Sequence, residues 1–119
     1  MPDQSTEAKI AAAVARCREK AAACDSEASR ETYLLYAELL PGIVRWEELP
    51  ANKKMDAETY LSAVVGACVT LAAHGLRNAT GDDPDLINQN GPLVTAQFSV
   101  GLHHEVFHGE IGAILGKTN

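Results

Sequence analysis

"PLVTAQFSVGLHH", running from Pro92 to His104, is the stretch whose reading decides the fold class. Val94, Ala96, Phe98, Val100 and Leu102 alternate with polar or small residues, as along a strand with one buried face. Leu93, Ala96, Val100, Phe107, Ile111 and Ile114 equally make a helical stripe, with Pro92 suited to a first turn. The helix is the better reading. The rest of the chain reads as helix, and a lone strand has no neighbour to pair with. The segment from Pro92 to Gly116 is therefore expected to be helical, and the fold all-α.

Working outward, the segment before it carries the clearest helical pattern. Leu61, Val64, Val65, Cys68, Leu71, Ala72 and Leu76 form one apolar face over about Ala57 to Arg77, with Asp56 placed to cap its start. Its other side holds Ser62, Gly66, Thr70 and Ala73, small enough for a second helix to approach closely. Gly75 and Asn78 mark its expected end. "NATGDDPDLINQNG" then reads as a turn-rich loop with room for a short helix after Pro84.

Towards the N-terminus, Ile10, Val14, Cys17, Ala21, Cys24, Ala28 and Leu35 follow helical spacing between Ser5 and about Leu40, with Glu31 interrupting the stripe. Ser5 or Thr6 is placed to cap the start, with Glu7 favourable in the first turn. Asp25 and Ser26 offer a second cap, so two helices with a bend are as natural as one rod. Pro41-Gly42 should stop this segment. Ile43, Trp46 and Leu49 would then form a short helix or 3₁₀ turn, and "ANKKMD" a loop. The expectation is one compact domain over residues 1–119, a bundle of four to five helices with the segments near 57–77 and 92–116 at its centre.

Composition narrows the function classes. A length of 119 residues supports a core without disulfide staples, and 46% hydrophobic with 22% charged residues is ordinary for a globular protein. A net charge of −6 argues against nucleic acid and anionic membrane as partners, since both want a basic surface. The opening "MPDQSTEAKI" has neither the basic segment nor the apolar run of a signal peptide. No apolar stretch is expected to reach the ~18 residues that would suggest a membrane span. Three cysteines, Cys17, Cys24 and Cys68, are an odd count, expected to be reduced thiols of a cytoplasmic protein. Trp46, the one tryptophan, is expected to anchor the core.

One motif carries catalytic chemistry. His104-Glu105-Val106-Phe107-His108 resembles the His-Glu-x-x-His of zincin-type metallopeptidases over five residues. On a helix, positions i and i+4 share a face, so two imidazoles can grip a zinc ion while the Glu activates its water. The resemblance implies His104 and His108 as metal ligands and Glu105 as general base. The sequence departs from the family where the third ligand belongs, because the metzincin positions hold Ile111 and Ile114. Eleven residues remain after His108, too few for a downstream acid, and Glu110 is too close along the helix. Another element would have to supply the ligand, with Glu58 better levelled than His74 in an antiparallel arrangement.

Gln97, Gly101, His104 and His108 lie along one side of the last helix, which makes Gln97, His104 and His108 the candidate contacts for a small ligand. Two further motifs dissolve on inspection. "GAILGKTN" lacks the first glycine of a P-loop, and the acidic Asp82, Asp83 and Asp85 match helix-start chemistry better than a calcium loop. The expectation is a small acidic binding or regulatory protein, of accessory or inhibitor type, acting by protein–protein contact without catalysis and without a cofactor. A protein partner is expected, a homodimer among the candidates. The alternatives are a zinc-dependent hydrolase using His104, Glu105 and His108, and a helical sensor of a small ligand.

Overall fold

The computed structural model describes residues 4–108, and these are helical almost throughout, with no strand among them. The order is α1 (Gln4–Ala23), α2 (Glu27–Glu48), α3 (Pro50–Lys53), α4 (Ala57–Thr80) and α5 (Pro84–His108). The protein is all-α, and "PLVTAQFSVGLHH" lies inside α5. The part of the expected last helix beyond His108, with Ile111 and Ile114, lies outside the described residues. The chain divides into two units, one holding α1 to α3 and the other α4 with α5 up to Phe107.

In the first unit α1 and α2 are an antiparallel hairpin. Ser26 starts α2 by accepting the Ser29 N–H on its hydroxyl at 3.1 Å, so the bend expected at Asp25-Ser26 is a true helix break. Ile10, Ala13 and Cys17 of α1 meet Ala37, Leu40 and Val44 of α2 in a small buried core, flanked by Val14, Tyr33 and Tyr36. Small residues at Ala13, Cys17 and Ala37 let the helices approach closely. Burial pushes the Cys17 thiol pKa up, because a thiolate there would lose its water. Glu7, expected as a first-turn charge, takes two hydrogen bonds from the Arg45 guanidinium at 3.1 and 3.4 Å, tying the open ends of the hairpin. Trp46 is half-buried and stands outside the central core.

Several boundaries differ from the sequence reading. Pro41-Gly42 does not stop the helix; α2 runs through both to Glu48 and absorbs the expected short helix from Ile43. Proline removes one backbone donor there, but Leu40 and Val44 on either side are buried, and their packing holds the segment helical. The stop comes at Leu49, whose extended backbone precedes Pro50, and Pro50 to Lys53 make a four-residue turn of helix where a loop was expected. The Asn52 amide donates to the Trp46 carbonyl at 2.9 Å across this corner.

In the second unit, Asp56 caps α4 as its position suggests, accepting the Thr59 N–H at 2.7 Å. That hydrogen bond, with the Thr59 hydroxyl and the Glu58 N–H as lesser donors, holds the Asp56 pKa below the usual carboxylate value. Gly75 and Asn78 do not end α4; the chain reaches Thr80 and stops at Gly81, which sits at φ 62° in the left-handed region. Asp82 follows at φ 61°, a conformation that aspartate tolerates better than most residues. Asp83 then accepts the N–H groups of Asp85 and Leu86, and Pro84 begins α5. The expected dozen-residue loop is thus three residues long, and the acidic cluster is a helix stop followed by a helix start.

Candidate functional site

The largest correction concerns the core. The segments expected at its centre, α4 and α5, bury no residue, whereas α1 and α2 supply the buried core. Leu61, Val65, Val69 and Leu71 on α4 are exposed, and so are Leu93, Val100, Leu102, Val106 and Phe107 on α5. Val100 is 71% accessible and Phe107 67%. The two helices are in sequence contact through a tight turn but do not pack along each other.

The chemistry of α4 is set by what it lacks. From Thr59 to Leu76 there is no Asp, Glu, Lys or Arg, and the charges stand at the ends, Glu58 and Arg77. At 1.5 Å per residue this uncharged body is about 27 Å long. Helix α4 is long and apolar enough, by length and composition, to cross a membrane, and none of it is buried within the chain. A search for consecutive apolar residues misses it because Ser62, Gly66, Thr70 and His74 interrupt the run. Two of those interruptions bond within the helix. The Thr70 hydroxyl donates to the Gly66 carbonyl at 2.9 Å, and His74 Nε2 lies 3.1 Å from the Asn78 amide nitrogen. A helix apolar nearly all round is built to be covered.

On α5, Val94, Gln97, Phe98, Gly101, His104 and Glu105 line an open groove along one side of the helix. Gln97 and His104 share this surface; His108 stands one turn further and is not in the lining. The pair His104 and His108 keeps its one-turn spacing on α5, with Glu105 beside His104. His103 packs against Phe107 in a tilted arrangement, with ring centroids 4.8 Å apart. Among the described residues no three His, Cys, Asp or Glu side chains gather where they could hold a metal, so Glu58 does not join the two histidines. The residues Ile111 and Ile114, at the metzincin ligand positions, and Glu110 lie outside the described residues.

A second shallow surface lies at the end of α4, lined by Thr70, Ala73, His74, Arg77, Asn78 and Asp82. There Arg77 Nε donates to Asp82 Oδ1 at 2.7 Å, and that contact raises the Arg77 pKa above its ordinary value. The sequence reading passed over Glu58 and Arg77 as a pair. The signal that identifies them is their position in the first and last turns of a helix with no Asp, Glu, Lys or Arg between them.

No protein-family model, curated protein or solved structure matches this chain.

Proposed function

We propose that this chain is an accessory or inhibitor-type binding protein of the cytoplasm, without catalysis of its own, that acts through protein–protein contact made by α4 and α5. One observation carries the reading: two helices of 24 and 25 residues, rich in Leu and Val, bury no residue in the described part of the chain. Fully covering one such large side chain is worth about 1.5–3 kcal/mol, and exposed patches of this kind are the usual mark of an interaction surface. The α1–α2 hairpin has its own buried core and serves as the stable platform. The His104 and His108 imidazoles fit this role as polar contacts at the edge of an apolar surface.

The test is site-specific photo-crosslinking in the native host, with a benzophenone side chain at Val100 and a control at the exposed Glu19 of α1. The expected result is a discrete protein adduct of fixed mass from position 100 and none from position 19. No protein adduct at position 100, or the same diffuse labelling at both positions, refutes the proposal.

A further inference from the structure

We propose that α4 is the seam of a homodimer, lying antiparallel to α4 of a second copy about a two-fold axis at Ala67. The inference rests on the reading of α4 and α5 as the binding surface and names the occupant of one of them.

Three observations converge on a second copy in that orientation. Glu58, Ser62, Val65, Val69, Ala72 and Leu76 follow a 4-3-4-3-4 spacing, the seam of one helix against another. The residue sizes read alike in both directions, with valines at the centre and small residues outside them. A two-fold at Ala67 therefore sets Val65 opposite the second copy's Val69 and Ser62 opposite its Ala72, which is the self-complementarity that an isologous contact demands.

Charge then selects the direction. Glu58 and Arg77 are about 28 Å apart along the axis. Antiparallel pairing brings Glu58 of each copy beside Arg77 of the other, whereas parallel pairing sets Glu58 against Glu58 and Arg77 against Arg77. Asp82 occupies Nε of Arg77, and a guanidinium has further donors on its terminal nitrogens for a second carboxylate.

The third observation is open space where a helix needs it. A Cβ added at Gly66 would meet nothing within 4 Å, so this mid-helix glycine serves no close approach among the described residues. It lies beside the Val65–Val69 seam and lets a neighbouring backbone come near. Val65 and Val69 themselves are 44% and 55% accessible. A lipid environment would satisfy the apolar length of α4 but accounts neither for the reversible pattern nor for the opposed end charges.

The experiment is sedimentation equilibrium of the full chain in lipid-free buffer over about 1–100 µM, a range centred on ordinary weak association. The expected species has twice the 12.7 kDa chain mass. Glu58→Arg and Arg77→Glu should each weaken the dimer at least about fivefold, since each substitution sets two like-charge pairs across the seam. The double reversal should restore association to within about threefold, because the pairs re-form with their signs exchanged. A monomer throughout the range, or a double variant no better than the single ones, overturns the inference. So does a chain that partitions into phosphatidylcholine vesicles and is monomeric in detergent.

Should a reversal variant fail to fold, oxidative cross-linking decides. With Cys24 and Cys68 replaced by Ser, a mixture of Ser62→Cys and Ala72→Cys chains should form a disulfide-linked dimer, and Ser62→Cys alone should not. Cross-linking of Ser62→Cys to itself signals parallel pairing and overturns the inference. If the dimer is absent while Val100 still captures a protein, only this inference falls; if both are absent, the binding reading falls with it.

Discussion

Replacing Leu40 by Ala should cost the first unit most of its stability while leaving α4 and α5 able to make their contacts. Leu40 is 0% accessible and is the largest fully buried side chain of the core. Three carbons are lost, and at about 0.8 kcal/mol per buried methylene the transfer contribution is about 2.4 kcal/mol. The cavity left among Ile10, Ala13, Cys17, Ala37 and Val44 adds to it, and a two-helix core can close partly around the gap, so the total is about 3 kcal/mol. A unit of roughly fifty residues has only about 2.5–7.5 kcal/mol to lose. The assay is urea and thermal unfolding followed by tryptophan fluorescence, because Trp46, the single tryptophan, lies on α2 and reports this unit. Tm should fall by more than about 12 °C. The matched control is Leu61→Ala on α4, where the side chain is 60% accessible and a change within about 0.5 kcal/mol is expected. A fall of less than about 4 °C for Leu40→Ala, or equal effects from the two substitutions, would refute the placement of the core.

Pro41→Ala should stabilise the same unit by about 1–2 kcal/mol, since alanine returns a helical donor while loosening the unfolded chain only slightly; a lower Tm would show that the proline shapes the packing of α2. Asp56 predicts acid sensitivity in α4. Its folded pKa is depressed, so its stabilisation is complete above the ordinary carboxylate value and is lost as pH falls below that value through the lowered one. Circular dichroism should therefore show a helix loss on acidification that Asp56→Asn removes while keeping the cap, and that Asp56→Ala replaces with lower helicity at every pH. Thiol labelling should proceed in the order Cys68, Cys24, Cys17, because Cys68 is exposed, Cys24 is half-buried with its Sγ 3.2 Å from the Lys20 carbonyl oxygen, and Cys17 is buried with a raised pKa; fast labelling of Cys17 in the folded protein would contradict the α1–α2 packing.

Local chemistry was legible wherever it depends on neighbours in the chain. Asp56 and Ser26 act as caps because a short oxygen-bearing side chain before a helix reaches its first N–H groups whatever the rest of the fold does. Asp83 and Pro84 show the same logic, although their helix is far longer than the short one expected there. The punctuation marks failed where packing outweighed them. Pro41 sits between buried Leu40 and Val44, so the helix continues through it. Gly75 and Asn78 are mid-helix because Gly81 supplies the left-handed turn further on. Pro92 lies inside α5, where the helix starts at Pro84 rather than at the second proline.

Of the candidate site, the spacing of its residues along one helix was legible in the sequence. The sequence put Gln97, His104 and His108 on one helix side, and the structure keeps Gln97 and His104 on one groove. No pattern could tell whether Glu58 would come to the histidines, since that depends on how two helices lie, and they do not pack along each other. Apolar stripes on α4 and α5 were read as faces turned inward. Periodicity identifies a face that needs cover but is silent on what covers it.

By itself, then, the sequence determined the helical class, the caps and the uncharged body of α4, because these follow from spacing and from side chains meeting their own backbone. Only the tertiary structure decided that Ile10 and Cys17 of the N-terminal stripe meet Leu40, outside that stripe, in the core, while the strongest apolar helix stays uncovered among the described residues. The physical reason is that burial belongs to pairs of surfaces. The small residues of α1 and α2 fit each other within one chain, whereas the apolar surface of α4 meets no packed partner among the described residues.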